Sequence, residues 1–262
     1  MRNLMQAGPR IIAFSVALLC VGQAAADEPT VTAPSAESTV QKNIALKDGD
    51  AQTHDAQKLA DAISNPSENL APVEALIGAG ADVNAVLPEG RNLLMVAVTN
   101  DNFAAVRLLL AAGAKPDLST ELFLASIEGD IKRVRAALDK GAKVDSEDYD
   151  GGTPLIFAVS RKRIDIVRLL IERGANVNHR NQAGWTALMY AANYMEPRSA
   201  RLLLERGANL YLKNKSGKNA LEELLTYDPE SSHLFPYQKR DLKALRRLFR
   251  DEINARKTKN TP

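Results

Sequence analysis

The residue types that most often perform catalysis or bind metals are few and scattered in this 262-residue sequence. The three histidines, His54, His179 and His233, are not spaced to share one helix face as zinc ligands. Cys20 is the only cysteine, and no Gly-x-Ser-x-Gly sequence of the kind that carries a nucleophilic serine occurs. The sequence therefore predicts no enzyme and no site for a metal or cofactor.

Five Gly-Ala pairs recur along the chain and indicate the elements that position its other polar side chains. Successive pairs are 33, 28, 33 and 33 residues apart, at Gly80, Gly113, Gly141, Gly174 and Gly207. A nearly fixed period of this length is typical of a stacked repeat protein. Each unit of such an array contacts only its neighbours, and the whole array presents an extended surface for binding.

Each unit has the pattern of two short helices. An apolar residue stands seven positions before each glycine, and an apolar pair follows it, as in Val167 with Leu170-Ile171. This is the spacing of a helix that buries one face, and the glycine ends that helix in a left-handed conformation. An earlier helix has Leu and Ala three residues apart, and Thr153-Pro154 is a typical helix start.

These residues resemble the ankyrin repeat family. The best copies are 150–178, which opens with Asp-Gly-Gly-Thr-Pro-Leu, and 184–209, which opens with Gly-Trp-Thr-Ala-Leu. The resemblance covers about residues 54–255. It implies an all-α repeat solenoid of about six helix-turn-helix units with atypical ends, joined by short β-hairpin fingers. It also implies a non-catalytic module for protein–protein interaction.

Two departures from the family pattern affect the surface and the end of the array. The 28-residue spacing leaves out five residues between Gly113 and Leu122, which predicts a trimmed finger and a notch in the row of fingertips. In the last unit Leu224 replaces the small alanine, and a long loop from Thr226 to Pro236 precedes the final helix. Atypical end units are expected, because a terminal repeat faces water on one side.

The array is predicted to follow an export signal and a linker. Arg2 and Arg10 precede a short apolar run that ends in small residues, which is the pattern of a signal peptide at 1–26. A flexible tether at 27–53, rich in Ala, Thr, Ser, Glu and Pro, and a tail at 256–262 flank the array. The predicted units are about 54–86, 87–117, 118–147, 148–180, 181–213 and a C-terminal cap at 214–255.

The resemblance places the variable surface on the fingertips and on the exposed side of each first helix. Aromatic and basic residues there are the predicted partner-binding residues, because interface energy concentrates on Trp, Tyr and Arg. They are Arg91, Tyr149, Arg161, Arg180, Trp185, Tyr194, Lys213 and Lys218. We expect Tyr149, Arg180, Trp185 and Tyr194 to form the anchor. The alternative for Trp185 is packing against a neighbouring finger.

The formal charge of +2 gives no general indication of nucleic acid as a partner. Basic residues are concentrated between Lys239 and Lys259, with Leu242, Leu245 and Phe249 among them at helical spacing. This pattern predicts a capping helix with a solvated basic face. Docking on a membrane surface or on nucleic acid is the alternative.

These patterns together predict a monomeric periplasmic module that binds one folded protein partner on its concave face. The alternative to release into the periplasm is that the signal peptide remains uncleaved and acts as an anchor. The resemblance to exported bacterial ankyrin proteins leaves two roles open, oxidative-stress defence and inhibition of or immunity to a toxic effector. The basic C-terminal helix leaves open a third role, an envelope-surface scaffold that uses this helix.

Overall fold

The computed structural model describes residues 49–65, 69–88, 90–228, 230–231 and 233–259. The predicted signal peptide, most of the predicted tether and the end of the predicted tail lie outside these residues. The described part of the chain contains twelve helices and no strand. In chain order they are α1 Gly49–Ser64, α2 Ala71–Gly78, α3 Leu93–Thr99, α4 Phe103–Ala111, α5 Leu118–Glu128, α6 Ile131–Asp139, α7 Pro154–Ser160, α8 Ile164–Glu172, α9 Ala187–Asn193, α10 Pro197–Glu205, α11 Ala220–Leu224 and α12 Pro236–Lys259.

The helices pair into six units, from unit 1 with α1 and α2 to unit 6 with α11 and α12. The first helix of every unit packs on the first helix of the next, and α6, α8, α10 and α12 form a second row. This arrangement confirms the predicted all-α repeat solenoid. The buried side chains fall into two clusters, and α5 contributes Phe123 to one of them and Leu122 to the other.

The residues of the predicted framework are buried and capped as expected. The apolar residue seven positions before each glycine is at most 4% exposed in all five units. The five glycines have φ between +88° and +98°, which ends each second helix in the left-handed region. Thr153 is the N-cap of α7, where its hydroxyl accepts a hydrogen bond from the Ile156 N–H at 3.5 Å.

The fingers are tight turns. In unit 5 the Asn181 N–H donates to the Trp185 carbonyl at 3.0 Å, and the Gly184 N–H donates to the Asn181 carbonyl at 2.8 Å. Only one isolated β-bridge, between Val86 and Asn92, occurs in the described residues. Each turn closes within a few residues, which is too short for a strand ladder.

The predicted trimming of the third finger is confirmed. In unit 3, helix α5 begins soon after the Gly113 turn, and no fingertip turn precedes it. The Asp117 carboxylate caps it by accepting a hydrogen bond from the Thr120 N–H at 2.7 Å. As a result, α5 has eleven residues, whereas α3, α7 and α9 have seven each.

Two predicted boundaries shift in the structure. Helix α1 begins at Gly49, so residues 49–53 of the predicted tether belong to the first unit. Helix α12 continues to Lys259, beyond the predicted end of the array at 255. Its last turns are held by an Arg256–Glu252 ion pair at 2.6 Å, and the Arg256 guanidinium also donates to the Ala208 carbonyl at 3.1 Å.

In several units, a residue with a left-handed backbone conformation also lies in the turn between the two helices. Unit 3 has Gly129 at this turn, with φ +86°, and unit 4 has Lys162 there, with φ +57°. A residue with a Cβ pays about 1–3 kcal/mol for this conformation, whereas glycine adopts it without that cost. A Cβ on Gly129 would also lie 2.9 Å from Nε of Arg163.

We expect Lys162→Gly to raise the free energy of unfolding by about 1 kcal/mol, because relief of the left-handed backbone outweighs the added freedom of the unfolded chain. Gly129→Ala should lower it by about 1 kcal/mol or more. Urea denaturation measures both changes. The matched control is Lys140→Gly at the end of α6, where φ is −81°. Stabilisation by Lys140→Gly, or destabilisation by Lys162→Gly, would contradict this account.

Candidate protein-binding face

Aromatic side chains of unit 5 form a contiguous row. The rings of Trp185 and Tyr190 have centroids 5.3 Å apart, and Tyr190 is stacked on Tyr194 at 6.2 Å. Tyr190 is not among the predicted binding residues, although it lies four positions before Tyr194 and therefore on the same face of α9. That spacing was the signal in the sequence that could have identified it.

Two carboxylates of the fourth finger lie near Tyr190, whereas the charged groups near Tyr194 are Asp101 and Arg161. Burial raises the pKa of the Tyr190 phenol, and Tyr194, Asp148 and Asp150 raise it further. Asp150 is also the main cause of the raised pKa of Tyr149, whose side chain is 53% exposed. We call Asp148, Tyr149, Asp150, Tyr190 and Tyr194 the tyrosine–aspartate cluster.

Asp148 is held in place by the backbone of its own finger. Its Oδ1 accepts hydrogen bonds from the Gly152 N–H at 2.6 Å and from the Asp150 N–H at 3.0 Å. Burial raises the pKa of this carboxyl to about 6, despite the two hydrogen bonds, and the charges of Asp150 and Glu147 add to the shift. Asp148 is therefore largely ionised at neutral pH, and the guanidinium groups of Arg91 and Arg161 lie near Tyr149 and Tyr194 of the same cluster.

Trp185 is buried, whereas its predicted role in the partner-binding anchor requires an exposed ring. Its side chain is only 8% exposed and belongs to the buried cluster of units 3 to 6. The corresponding residue of unit 4 is Gly152, and that of unit 2 is Arg91. Trp185 is buried because its ring packs on Tyr190 of the following helix. The predicted alternative is packing against a neighbouring finger, whereas the ring contact found is with Tyr190 of α9.

The predicted arginines contact other parts of the array. Arg161 forms an ion pair with Asp101 and lies 5.4 Å from the ring centroid of Phe103. Arg180 donates from Nη2 to the carbonyl of Lys213 at 2.7 Å, which ties two fingers together. These guanidinium groups thus help to hold the array. No contact of Arg180 with the aromatic row appears in the described residues, so the predicted four-residue anchor is not assembled as expected.

The two predicted lysines lie on the last finger. The Lys213 ammonium is 3.8 Å from a Glu222 carboxylate oxygen in a largely exposed pair. Lys218 is half-buried, and its backbone N–H donates to the Asn214 side chain at 3.0 Å. The role of both lysines in binding stays a prediction.

The predicted notch is bridged by side chains. The Arg91 guanidinium lies 4.8 Å from the ring centroid of Tyr149, so a residue of unit 2 contacts the finger of unit 4. The Asp101–Arg161 ion pair connects the same two units. Because the third finger is missing, the finger of unit 2 reaches that of unit 4 through Arg91 and Tyr149, whereas the Asp101–Arg161 pair joins the turns between the two helices of each unit.

Within the described ranges, no group of three or more His, Cys, Asp or Glu side chains is placed to hold a metal ion. In the same part of the chain, no helix is both long enough and apolar enough to cross a membrane.

Stacked helix pairs with an exposed polar face define a class of protein-interaction modules that are generally non-catalytic. The family model described as "Ankyrin repeats (3 copies)" matches residues 59–148 and 122–214, which together make up more than half of the chain. The chain belongs to the ankyrin repeat family.

Three curated proteins share part of this sequence. The chain is 37% identical over 97 residues to "B-cell lymphoma 3 protein homolog" of Mus musculus, covering 35% of this chain and 22% of that protein. It is 46% identical over 55 residues to "Mitochondrial disaggregase" of Homo sapiens, covering 21% and 8%. It is 40% identical over 85 residues to "Ankyrin repeat and SOCS box protein 2" of Mus musculus, covering 28% and 13%. The chain thus spans less than a quarter of each relative.

We expect Trp185→Ala to lower the free energy of unfolding by about 3 kcal/mol or more, because a large buried ring leaves a cavity. Tyr149→Ala should lower it by less than about 1 kcal/mol, because this exposed ring loses mainly its contact with Arg91. Chemical denaturation of both variants measures the difference. A loss at Trp185 as small as that at Tyr149 would contradict the burial of Trp185.

We expect Asp148→Asn to stabilise the protein at neutral pH, because asparagine keeps the acceptor oxygen without the buried charge. The folded pKa of about 6 lies above the ordinary 3.8, so the ionised carboxylate destabilises the fold. The advantage of the variant should be absent below about pH 4, grow between pH 4 and 6, and stay constant above.

Denaturation of wild type and variant across this pH range measures the effect. Asp148→Ala is the control. It removes the oxygen that accepts the two backbone hydrogen bonds, so it should not give the stabilisation expected of Asp148→Asn. If the free energy of unfolding of Asp148→Asn differs from that of the wild type by the same amount at every pH, the raised pKa of Asp148 is contradicted.

Proposed function

We propose that this protein is a monomeric periplasmic module that binds a folded protein partner on its concave face. The tyrosine–aspartate cluster would be its anchor for a positively charged side chain of that partner. The observation that carries the proposal is the presence of two carboxylates near Tyr149 and Tyr190, with Tyr194 stacked on Tyr190, on the side of the array where the fingers and first helices meet.

The charges around the cluster support a basic side chain as its ligand. Neither Asp148 nor Asp150 forms an ion pair within the described part of the chain. Arg161, a predicted binding residue, is paired with Asp101 instead. Carboxylates and aromatic faces both attract cations, and the attraction strengthens as a partner excludes water.

The proposed compartment rests on the export pattern of residues 1–26. The mature chain would begin at Asp27 and contain no cysteine, which suits an oxidising compartment. A partner in oxidative-stress defence and a toxic effector restrained by this protein are the two roles proposed for the complex. Both would place a folded protein on the concave face.

We expect a photo-crosslinking residue at position 149 or 194 to capture the partner in cells that express the full chain. The same residue at Arg168 or Arg201, exposed positions of α8 and α10, should capture nothing specific. Asp148→Asn combined with Asp150→Asn should weaken binding of the identified partner by about tenfold or more, because the cation loses its counter-charges. Mass spectrometry of the product separates the two proposed roles.

Fractionation of the same cells tests the compartment. The crosslinked chain should be periplasmic and lack residues 1–26, and deletion of those residues should abolish the product. Equal crosslinking from the outer helices, or unchanged affinity without the two carboxylates, would contradict the proposed face.

A further inference from the structure

We propose that a groove between α11 and α12 is a docking site for an acidic amphipathic helix of a second protein. The groove has a volume of about 450 Å³. Its main lining residues are Leu221, Leu225, Arg246, Arg250, Ile253 and Lys257, and we call it the cap groove. None of them belongs to the tyrosine–aspartate cluster, so the cap groove is a separate site.

The spacing of the lining residues gives the groove its length. Arg246, Arg250, Ile253 and Lys257 are four, three and four positions apart, and they therefore follow one face of α12. At 1.5 Å per residue, this face is about 16 Å long. An apolar floor continues onto α11, where Leu225 follows the last helical residue and is 56% exposed.

The charge on the groove is positive and is not neutralised by the carboxylates of α12. Glu252 pairs with Arg256 at 2.6 Å, Asp251 lies 3.7 Å from Arg247, and Asp241 lies 3.2 Å from Arg240. All three carboxylates of α12 thus pair with arginines that do not line the groove. Arg250 forms no ion pair in the described residues.

Arg246 is fixed at the other end of the groove. Its Nη2 donates to the Tyr227 carbonyl at 2.7 Å, whereas its Nε is buried and has no hydrogen-bond partner among the described residues. An arginine held in this way keeps its charge at one position. The groove therefore presents positive charge at fixed places beside an apolar floor, and its complement is a negatively charged apolar surface.

The shape of the site favours a helix over a membrane. Leu242, Leu245 and Phe249 of α12 are fully buried in the array, so they are withdrawn from any lipid. The apolar lining residues come from both sides of a groove, with Leu221 and Leu225 on one side and Ile253 on the other, and do not form one flat face. About three turns of a partner helix match the 16 Å length, with apolar residues on the floor and Asp or Glu beside the cations.

The test uses the purified full chain and a fluorescein-labelled helical peptide of about 14 residues. The peptide has leucines at helical spacing along one face and glutamates on both flanks. A second peptide with lysine in place of every glutamate is its control. We expect saturable binding of the acidic peptide in fluorescence anisotropy, with a dissociation constant in the micromolar range, and no binding of the basic peptide.

Two variants of α12 make the test specific to the groove. Arg250→Glu should weaken binding of the acidic peptide by about tenfold or more. Arg247→Glu is the matched control, because it makes the same charge change on the same helix outside the groove, and its effect should be less than about twofold. Circular dichroism confirms that both variants are folded.

Three results would overturn the proposal. The first is the absence of saturable binding of the acidic peptide. The second is an equal loss of binding in both variants, which indicates attraction to the overall charge of the helix. The third is sedimentation with phosphatidylglycerol vesicles that both variants reduce equally while the peptide fails to bind, which indicates a membrane surface.

Discussion

Every helix pair of this array buries its apolar side chains against the pairs on either side, so the whole structure depends on unbroken contact between neighbouring units. The critical element is α5. It contributes Phe123 to the cluster of units 1 to 3 and Leu122 to the cluster of units 3 to 6. The ring of Phe123 also meets Phe157 of the next unit edge to face at 5.3 Å. Unit 3 thus joins two cores into one solenoid.

The trimmed finger of this unit also determines the charge of the binding face. Without a third fingertip, Arg91 of unit 2 reaches the Tyr149 ring of unit 4. Asp101 pairs with Arg161 between the same two units, at the turns that join the two helices of each unit. These contacts use cations that the sequence alone would assign to a partner. Asp148 and Asp150 lie near Tyr149 and Tyr190 without an ion-pair partner in the described residues, so a face predicted as aromatic and basic also contains two carboxylates.

The burial of the framework residues could be predicted because their pattern repeats along the sequence. The burial and ion pairing of individual residues on the binding face could not be predicted in this way. Val167 and its equivalents are buried at every copy, since each meets the same neighbours. Trp185 has no such equivalents, and its burial depends on the ring of Tyr190. The pairing of Arg161 likewise depends on Asp101, which lies 60 positions away. A contact that occurs only once leaves no periodic pattern in the sequence from which it could be predicted.

The end of the array follows from a difference in helix length. Helix α11 has five residues and α12 has twenty-four, so at 1.5 Å per residue α12 is about 28 Å longer than its partner. The buried residues of α12 reach only to Phe249, and the following turns run beside the exposed Leu225. A cap must be polar on its outer side to stay soluble, which places arginines along these turns. Closing the core therefore creates a second, positively charged surface.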